Sequence, residues 1–276
     1  MKVIEKLCET KKLYNEDFID YGDNYAIVLD GATGLTKNII SETSDANWYV
    51  KTFALYLKNY IYKNNVKDAV KKALKDITKD INKYSDHINS NLDIPAACIA
   101  LIKENKNNFE LFVLGDCSII YGNRQNQTLI TNEDIRKLDK EKIEKMILIA
   151  KEKSINVSDA YQLIIPELKN QRLLKNRTNG YYVLDIDQKA ISHANYKVIP
   201  KEDIEMIILL SDGFSTYYEC LELEKDYKSF FLKNYHTDVN QLYKQLRKRE
   251  QEDHLLNNYP RFKISDDASI IKLKCD

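Results

Sequence analysis

Apolar positions recur along the chain with two different periods, and the switches between them mark out its elements. Tyr25–Leu29 is a short apolar run that ends at Asp30-Gly31, the pattern of a strand entering a loop. Val50, Phe53, Ala54, Leu57 and Ile61 then recur at helical spacing behind Ser44, a residue suited to cap the helix. A second helical face carries Val66, Val70, Ala73, Ile77, Ile81, Tyr84 and Ile88, in alternating steps of three and four. Strands are expected next at Ala96–Lys103, Phe109–Leu114, Cys117–Tyr121 and Gln127–Thr131. They read as one meander, with the polar Glu104–Asn108 turning between the first two. From Asn132 to about Leu174 the pattern is helical again, with Ile135, Leu138, Ile143, Met146, Ile147 and Ala150 as its buried side. Strands are expected at Tyr181–Ile186, Ile191–Val198 and Met206–Leu210, a helix from about Asp238 to His254, and a last strand at Ala268–Leu273. Helices, strands, helices and strands in that order imply an α+β fold. One domain over residues 1–276 is expected rather than two, because the last strand follows a motif like those of the earlier ones.

Composition narrows the chemistry. Basic and acidic side chains balance at 42 each, so no global field favours nucleic acid or an anionic membrane. The longest apolar runs are too short to span a bilayer, and the charged start lacks the apolar core of a signal peptide. Five scattered cysteines with no Cys-x-x-Cys pair read as reduced thiols in a cytoplasmic protein. Four histidines are equally scattered, so a zinc site of His and Cys is not expected. A metal here would be held by carboxylates, which suit Mg or Mn.

The informative feature is a set of aspartates at the ends of apolar runs. Asp30-Gly31, Gly115-Asp116, Asp212-Gly213 and Asp266-Asp267 each lie beside a predicted strand, and Glu16-Asp17 shortly precedes the first of them. One Asp-Gly at a strand end is normally just a turn. Four such sites over most of the chain are another matter, because strand ends in one sheet lie side by side and can bring distant carboxylates together. Converging carboxylates repel one another unless cations neutralise them, and hard divalent cations with oxygen ligands do so.

Taken in order, Asn15-Glu16-Asp17-Phe18, Asp30-Gly31-Ala32-Thr33-Gly34, Leu114-Gly115-Asp116-Cys117, Leu210-Ser211-Asp212-Gly213-Phe214 and Asp266-Asp267-Ala268-Ser269 resemble the motifs of the type-2C metal-dependent protein phosphatases, the PPM family. The resemblance covers nearly the whole chain. Tyr259-Pro260-Arg261-Phe262-Lys263 looks like a feature of a bacterial branch of that family, and the Lys-, Asn- and Ile-rich composition fits a bacterial source. The resemblance implies a four-layer α-β-β-α sandwich with two central antiparallel sheets. It also implies a variable helical flap over the active site, here at about 132–178.

Residue roles follow from the same resemblance. Asp30 would bridge two Mn2+ or Mg2+ ions, with Glu16 and the Gly31 carbonyl on one and Asp212 and Asp266 on the other. Asp116 and Asp212 resemble a pair that binds a weaker third metal. Asp17 and Asp267 would stand behind the ligands. Asp30, Asp212 and Asp266 would thereby be catalytic, through a hydroxide bridging cations about 3.5–4 Å apart that attacks a phosphoserine or phosphothreonine monoester. No cysteine nucleophile is needed, so Cys117 reads as a packed thiol. Two positions depart from the family. Ala32 stands where many members have a histidine that could protonate the leaving alcohol. Lys12, with Lys11 beside it, stands where many have a phosphate-gripping arginine; a lysine binds phosphate only as a point charge. Arg172 and Arg177, at the edge of the flap, are further candidates for substrate or partner contact. Arg247-Lys248-Arg249 reads as the solvated face of a helix.

The expected protein is a monomeric cytoplasmic phosphatase of phosphorylated proteins that acts in signalling, with no nucleic-acid or membrane partner. Two alternatives stay open on sequence alone: a non-catalytic relative serving as a regulatory binding module, and a phosphatase of a small-molecule phosphomonoester.

Overall fold

The computed structural model describes residues 1–32 and 38–275. Ten strands are distributed over two antiparallel five-stranded sheets. In chain order the strands are β1 (Lys2–Glu9), β2 (Asp17–Tyr21), β3 (Tyr25–Ala32), β4 (Ala96–Glu104), β5 (Asn108–Leu114), β6 (Ser118–Gly122), β7 (Gln127–Ile130), β8 (Asn195–Pro200), β9 (Met206–Leu210) and β10 (Ala268–Lys274). One sheet runs β2-β3-β4-β5-β8, the other β1-β10-β9-β6-β7. The helices are α1 (Asp45–Ile61), α2 (Val66–Ile81), α3 (Glu133–Lys153), α4 (Val157–Arg172), α5 (Asp212–Glu219), α6 (Tyr227–Lys233) and α7 (Val239–Glu252).

The apolar pattern assigns the layers. Val28, Ala100, Leu111 and Val113 from one sheet meet Ile119, Ile207, Leu209 and Ile271 from the other, and close the space between them. The opposite side chains of the first sheet, Ile27, Leu29, Ile99 and Leu101, pack under Phe53, Leu57, Val70 and Ile77 of α1 and α2. Ile208, Leu210 and Ile270 of the second sheet pack under Phe214, Phe230, Leu242 and Leu246 of α5, α6 and α7. The result is the expected four-layer α-β-β-α sandwich. Each fully buried aliphatic side chain of this kind contributes about 1.5–3 kcal/mol relative to leaving it in water. No helix among the described residues is long and apolar enough to cross a membrane.

Ser44 caps α1 as expected, accepting the Asn47 amide at 3.2 Å. Several expectations need correction. The four middle strands are not one meander: β4 and β5 lie in one sheet, β6 and β7 in the other. The chain changes sheets at Gly115, whose φ of +80° and lack of a Cβ, which would meet Cys98 Sγ at 2.3 Å, permit the sharp turn. Tyr181–Ile186 is not a strand and makes only isolated bridges, Lys175 with Tyr181 and Ala97 with Leu184. The expected strand at Ile191–Val198 begins as a 3-10 turn over Gln188–His193, because Ala190 and Ile191 pack into the α1–α2 layer; pairing with β5 starts only at Asn195. α2 ends at Ile81, and a 3-10 turn over Asn82–His87 carries Tyr84 off the stripe. β1 and β2 were not apparent from the apolar pattern.

In α3 only Met146 and Ala150 of the expected apolar side are buried. They pack with Val157, Ala160 and Ile164 of α4 and with Leu256, forming a small core of their own. Ile135, Ile143 and Ile147 instead line a cavity between this helical pair and the end of the sandwich.

Candidate active site

The registers place one end of every central strand at the mouth of that cavity. Asp17 pairs with Asp30, Asp30 with Cys98, Ser118 with Leu210, and Glu9 with Ala268. Asp30 therefore sits third from the end of β3, Asp116 in the crossing between sheets, Asp212 at the first position of α5, and Asp266 just before β10. Glu16, Asp30, Gly31, Asp116, Asp212 and Asp266 all line one cavity of about 1290 Å³. Lys12, Lys263 and Arg172 line it as well, whereas Arg177 does not. Thr33 and Gly34, which complete the first motif, lie outside the described residues.

Local structure fixes each carboxylate. The Gly31 amide donates to the Glu16 carbonyl at 3.0 Å, and a Cβ on Gly31 would stand 2.5 Å from that oxygen, so the close approach needs glycine. Ser44, besides capping α1, donates its hydroxyl to Glu16 Oε1 at 2.7 Å. Asp267 Oδ2 accepts the Glu16 amide at 2.9 Å, and Thr10 donates to its other oxygen, tying the last loop to the first. Ser211 and Ser269 join β9 to β10 through two hydrogen bonds, Ser269 N to Ser211 Oγ at 2.9 Å and Ser211 N to Ser269 O at 3.0 Å.

Electrostatically the cluster is under load. Burial, then repulsion from Asp212 and Asp17, pushes the Asp30 carboxyl well above the usual carboxylate range. Asp212 is raised to about 7 by burial and by the charges of Asp116 and Asp266. The two titrate as a pair. Burial likewise raises Asp17, reinforced by Asp212 and Asp267 against the partial relief of Ser269 and Ser211. Asp17 Oδ2 and Asp116 Oδ1 are buried and accept no hydrogen bond among the described residues. Asp266 is the exception: although burial opposes it, Lys263 at 2.6 Å and Lys12 at 2.9 Å hold it below the usual range. Lys12 also reaches Asp267 at 3.1 Å and Glu16 at 3.6 Å.

Orphaned buried oxygens, carboxyls raised by burial and by neighbouring charge, and an all-oxygen donor set fit hard divalent cations. Among the described residues no three carboxylate, His or Cys side chains are already drawn together around one cation position. Lysine ammonium groups stand against these carboxylates instead. Cys98 and Cys117 are packed thiols beside the cluster, and burial raises both well above the usual thiol range.

Two arginines that the sequence did not single out for the site hold its loops. Arg136 of α3 donates to the Asp116 carbonyl at 3.1 Å and to Ser118 at 3.1 Å, and pairs with Glu219 at 2.8 Å. Arg247 grips Glu250 with two hydrogen bonds, 2.7 and 2.8 Å, and donates to the Asp266 carbonyl at 2.6 Å. The expectation that residues 247–249 form a solvated face therefore holds only for Lys248. Arg249 bonds the Leu221 carbonyl at 2.9 Å and Tyr259 at 2.8 Å. A charge run shows helical spacing and says nothing of which carbonyl lies across the groove.

By structure the chain is similar to a Staphylococcus aureus serine/threonine phosphatase, at 13% identity and a TM-score of 0.58, over 100% of this chain and 96% of that one. It is similar to the Mycobacterium tuberculosis serine/threonine phosphatase PstP, at 13% identity and a TM-score of 0.57, over 98% and 97%. Another structure of the PstP catalytic domain, in complex with 2 manganese ions, aligns at 14% identity and a TM-score of 0.52, over 98% of this chain and 97% of that one. At such identities these likenesses speak for the fold. No curated protein matches the chain by sequence. The sequence profile of the protein phosphatase 2C family matches residues 7–256, a span that takes in Glu16, Asp30, Asp116 and Asp212 and stops short of Asp266. With that profile running over most of its length and the family's carboxylates gathered at one cavity, the chain belongs to the protein phosphatase 2C family.

Proposed function

We propose that this protein is a metal-dependent phosphatase that hydrolyses phosphoserine and phosphothreonine monoesters on proteins. The observation that carries the reading is the half-buried Asp30 and Asp212 at one cavity, both carboxyls raised by burial and then by neighbouring carboxylates, beside the orphaned Asp17 and Asp116 oxygens. Glu16, Asp30 and the Gly31 carbonyl would hold one Mn2+ or Mg2+; Asp30, Asp212 and Asp266 would hold a second; and Asp116 with Asp212 would hold a weaker third. When bound, such cations supply an acidified water and an electrophilic pull on the phosphoryl oxygens.

The chain's own residues do the rest. Asp267 holds Glu16 in place through its amide, and Arg247 and Arg136 hold the loops of Asp266 and Asp116 through their carbonyls. Lys12 lies beside the carboxylates, where its ammonium can meet a phosphate oxygen as a point charge. Arg172, on the wall formed by α4, is the next cation available to the substrate. Ile143, Ile147 and Leu168 add an apolar stretch to the cavity wall.

The test is release of inorganic phosphate from a phosphoserine peptide at fixed pH, with Mn2+ and then with EDTA. Turnover should need the cation and return when Mn2+ is restored. Undiminished turnover in EDTA would overturn the metal-dependent reading.

A further inference from the structure

Cleaving a phosphomonoester of serine or threonine leaves an alkoxide on the protein. An alkoxide is a poor leaving group unless a proton reaches it as the P–O bond breaks, and a placed acid is worth about 10²–10⁴-fold in rate. A proton donor is therefore required at the cavity. No histidine is among the described residues that line it. Lys12 and Lys263 hold their protons more tightly than free lysines, because the charge of Asp266 outweighs the opposing effect of burial. Glu219 is committed to Arg136 and Glu250 to Arg247. Glu133, Glu144 and Glu222 are exposed to solvent.

Asp139 is different. It sits on α3, half-buried, and lines the same cavity as Asp30, Asp116 and Asp212. Gln171 of α4 donates to its Oδ1 at 2.6 Å, which fixes the carboxyl plane. Its Oδ2 accepts no hydrogen bond among the described residues. We propose that Asp139 is the general acid of the reaction, giving its Oδ2 proton to the serine or threonine oxygen as that oxygen leaves phosphorus. The proposal rests on the phosphatase reading above.

The surroundings suit the role. Burial raises the Asp139 carboxyl to about 6; Gln171 opposes that, Asp116 adds to it, and Arg172 and Lys263 oppose it. Tyr181, on the same wall, is close enough to feel its charge. An acid poised near neutral pH can both carry a proton and surrender it. In the step itself, the water oxygen bonds to phosphorus while the P–O bond to the side chain breaks. The electron pair of that bond stays on the leaving oxygen, which takes the Asp139 proton. The proton lost by water passes to solvent, and Asp139 regains one from solvent before the next turnover.

The decisive comparison is between leaving groups. Asp139→Asn keeps the shape and an oxygen for Gln171 but cannot donate the proton. With Mn2+ present, kcat should fall about 100-fold or more on a phosphoserine peptide. On p-nitrophenyl phosphate, whose leaving group needs no proton, kcat should change less than about threefold. The alkaline limb of the peptide kcat–pH profile should disappear, and Asp139→Glu should recover part of the rate. Equal losses on both substrates, or no loss on the peptide, would overturn this proposal alone. A wild-type protein that hydrolyses neither substrate would overturn the phosphatase reading and this proposal with it. A readout independent of turnover is the carboxyl titration of 13C-aspartate-labelled protein. A resonance near pH 6 present in wild type and absent from Asp139→Asn is expected, and an Asp139 carboxyl titrating near 4 would exclude the role.

Discussion

The two ends of the sandwich are built from the same strands and solve opposite problems. At the end where β4 turns into β5 and β6 into β7, charged groups find partners, and a buried oxygen left without a bond there among the described residues, Asn24 Oδ1, is a neutral amide. Asn123 Oδ1 accepts the amides of Gln125 and Asn126, each at 2.9 Å, and its Nδ2 donates to the Asp203 carbonyl at 2.9 Å. Glu104 pairs with the chain's amino terminus at 2.6 Å and with Lys201 at 2.7 Å. At the other end the charges of Asp17, Asp30 and Asp212 act on one another, two buried carboxylate oxygens go unpartnered among the described residues, and burial with repulsion raises these three carboxyls above the usual range. One end closes the fold. The other gathers unfavourable charge that a bound cation would relieve, which marks a candidate binding site.

The sharpest way to break this contrast is Asp30→Asn. It should lower phosphatase turnover on the order of 10³-fold by removing a charge from the cation site. Because it also removes a repelled buried charge, the thermal midpoint of the metal-free protein should stay level or rise. A variant that loses activity by unfolding would mean that Asp30 serves the fold.

Next comes the pH dependence of stability. Asp17, Asp30 and Asp212 have folded-state values above those of the unfolded chain, so the folded state binds protons more tightly. Their contribution is therefore fully present below about pH 4 and is lost as pH rises through the folded values, near 7 for Asp212. In EDTA the melting temperature should fall by on the order of 5 °C between pH 5 and pH 8, and Mn2+ at pH 8 should restore it. A midpoint indifferent to pH and to Mn2+ would erase the difference between the two ends.

A smaller effect belongs to Lys12. Its ammonium competes with any cation for Asp266, Asp267 and Glu16. Lys12→Ala should raise KM for a phosphopeptide several-fold, with kcat nearly kept, and should lower the Mn2+ concentration for half-maximal turnover. Lys12→Arg should hold or improve KM, because a guanidinium can bond two phosphate oxygens. Unchanged KM and Mn2+ dependence in Lys12→Ala would make the residue a bystander. The smallest change is expected from the quiet end: Asn123→Ala should cost about 1 kcal/mol of stability in denaturant unfolding and leave kcat and KM untouched.

How much of this was legible in the chain differs by region. The acidic positions could be read because a strand that ends in Asp-Gly is a local signal, and several in series imply convergence. α1, the cap at Ser44, β9 and β10 were equally plain from period and boundary. β1 and β2 were missed because the apolar residues of Lys2–Glu9 and Asp17–Tyr21 come in pairs broken by charge, neither alternating nor forming an unbroken run; β1 is ordered by its register with β10, 267 residues away at the Lys272–Glu5 pair. The apolar face of α3 was seen, but its surroundings were not. A stripe shows which side avoids water and not whether a core or a cavity lies against it.

The sequence by itself determined the alternation of helix and strand, the α+β class and the carboxylates that a cation site would need, since these depend on neighbours a few residues apart. Only the tertiary structure decided which sheet each strand joins, that Ser44 and Asp267 hold Glu16, that Arg136 and Arg247 hold the loops of Asp116 and Asp266, and that Asp139 faces the same cavity. Those contacts join residues far apart in the chain. Their chemistry depends on burial and on charges brought near by folding, and neither quantity exists until the sheets have packed.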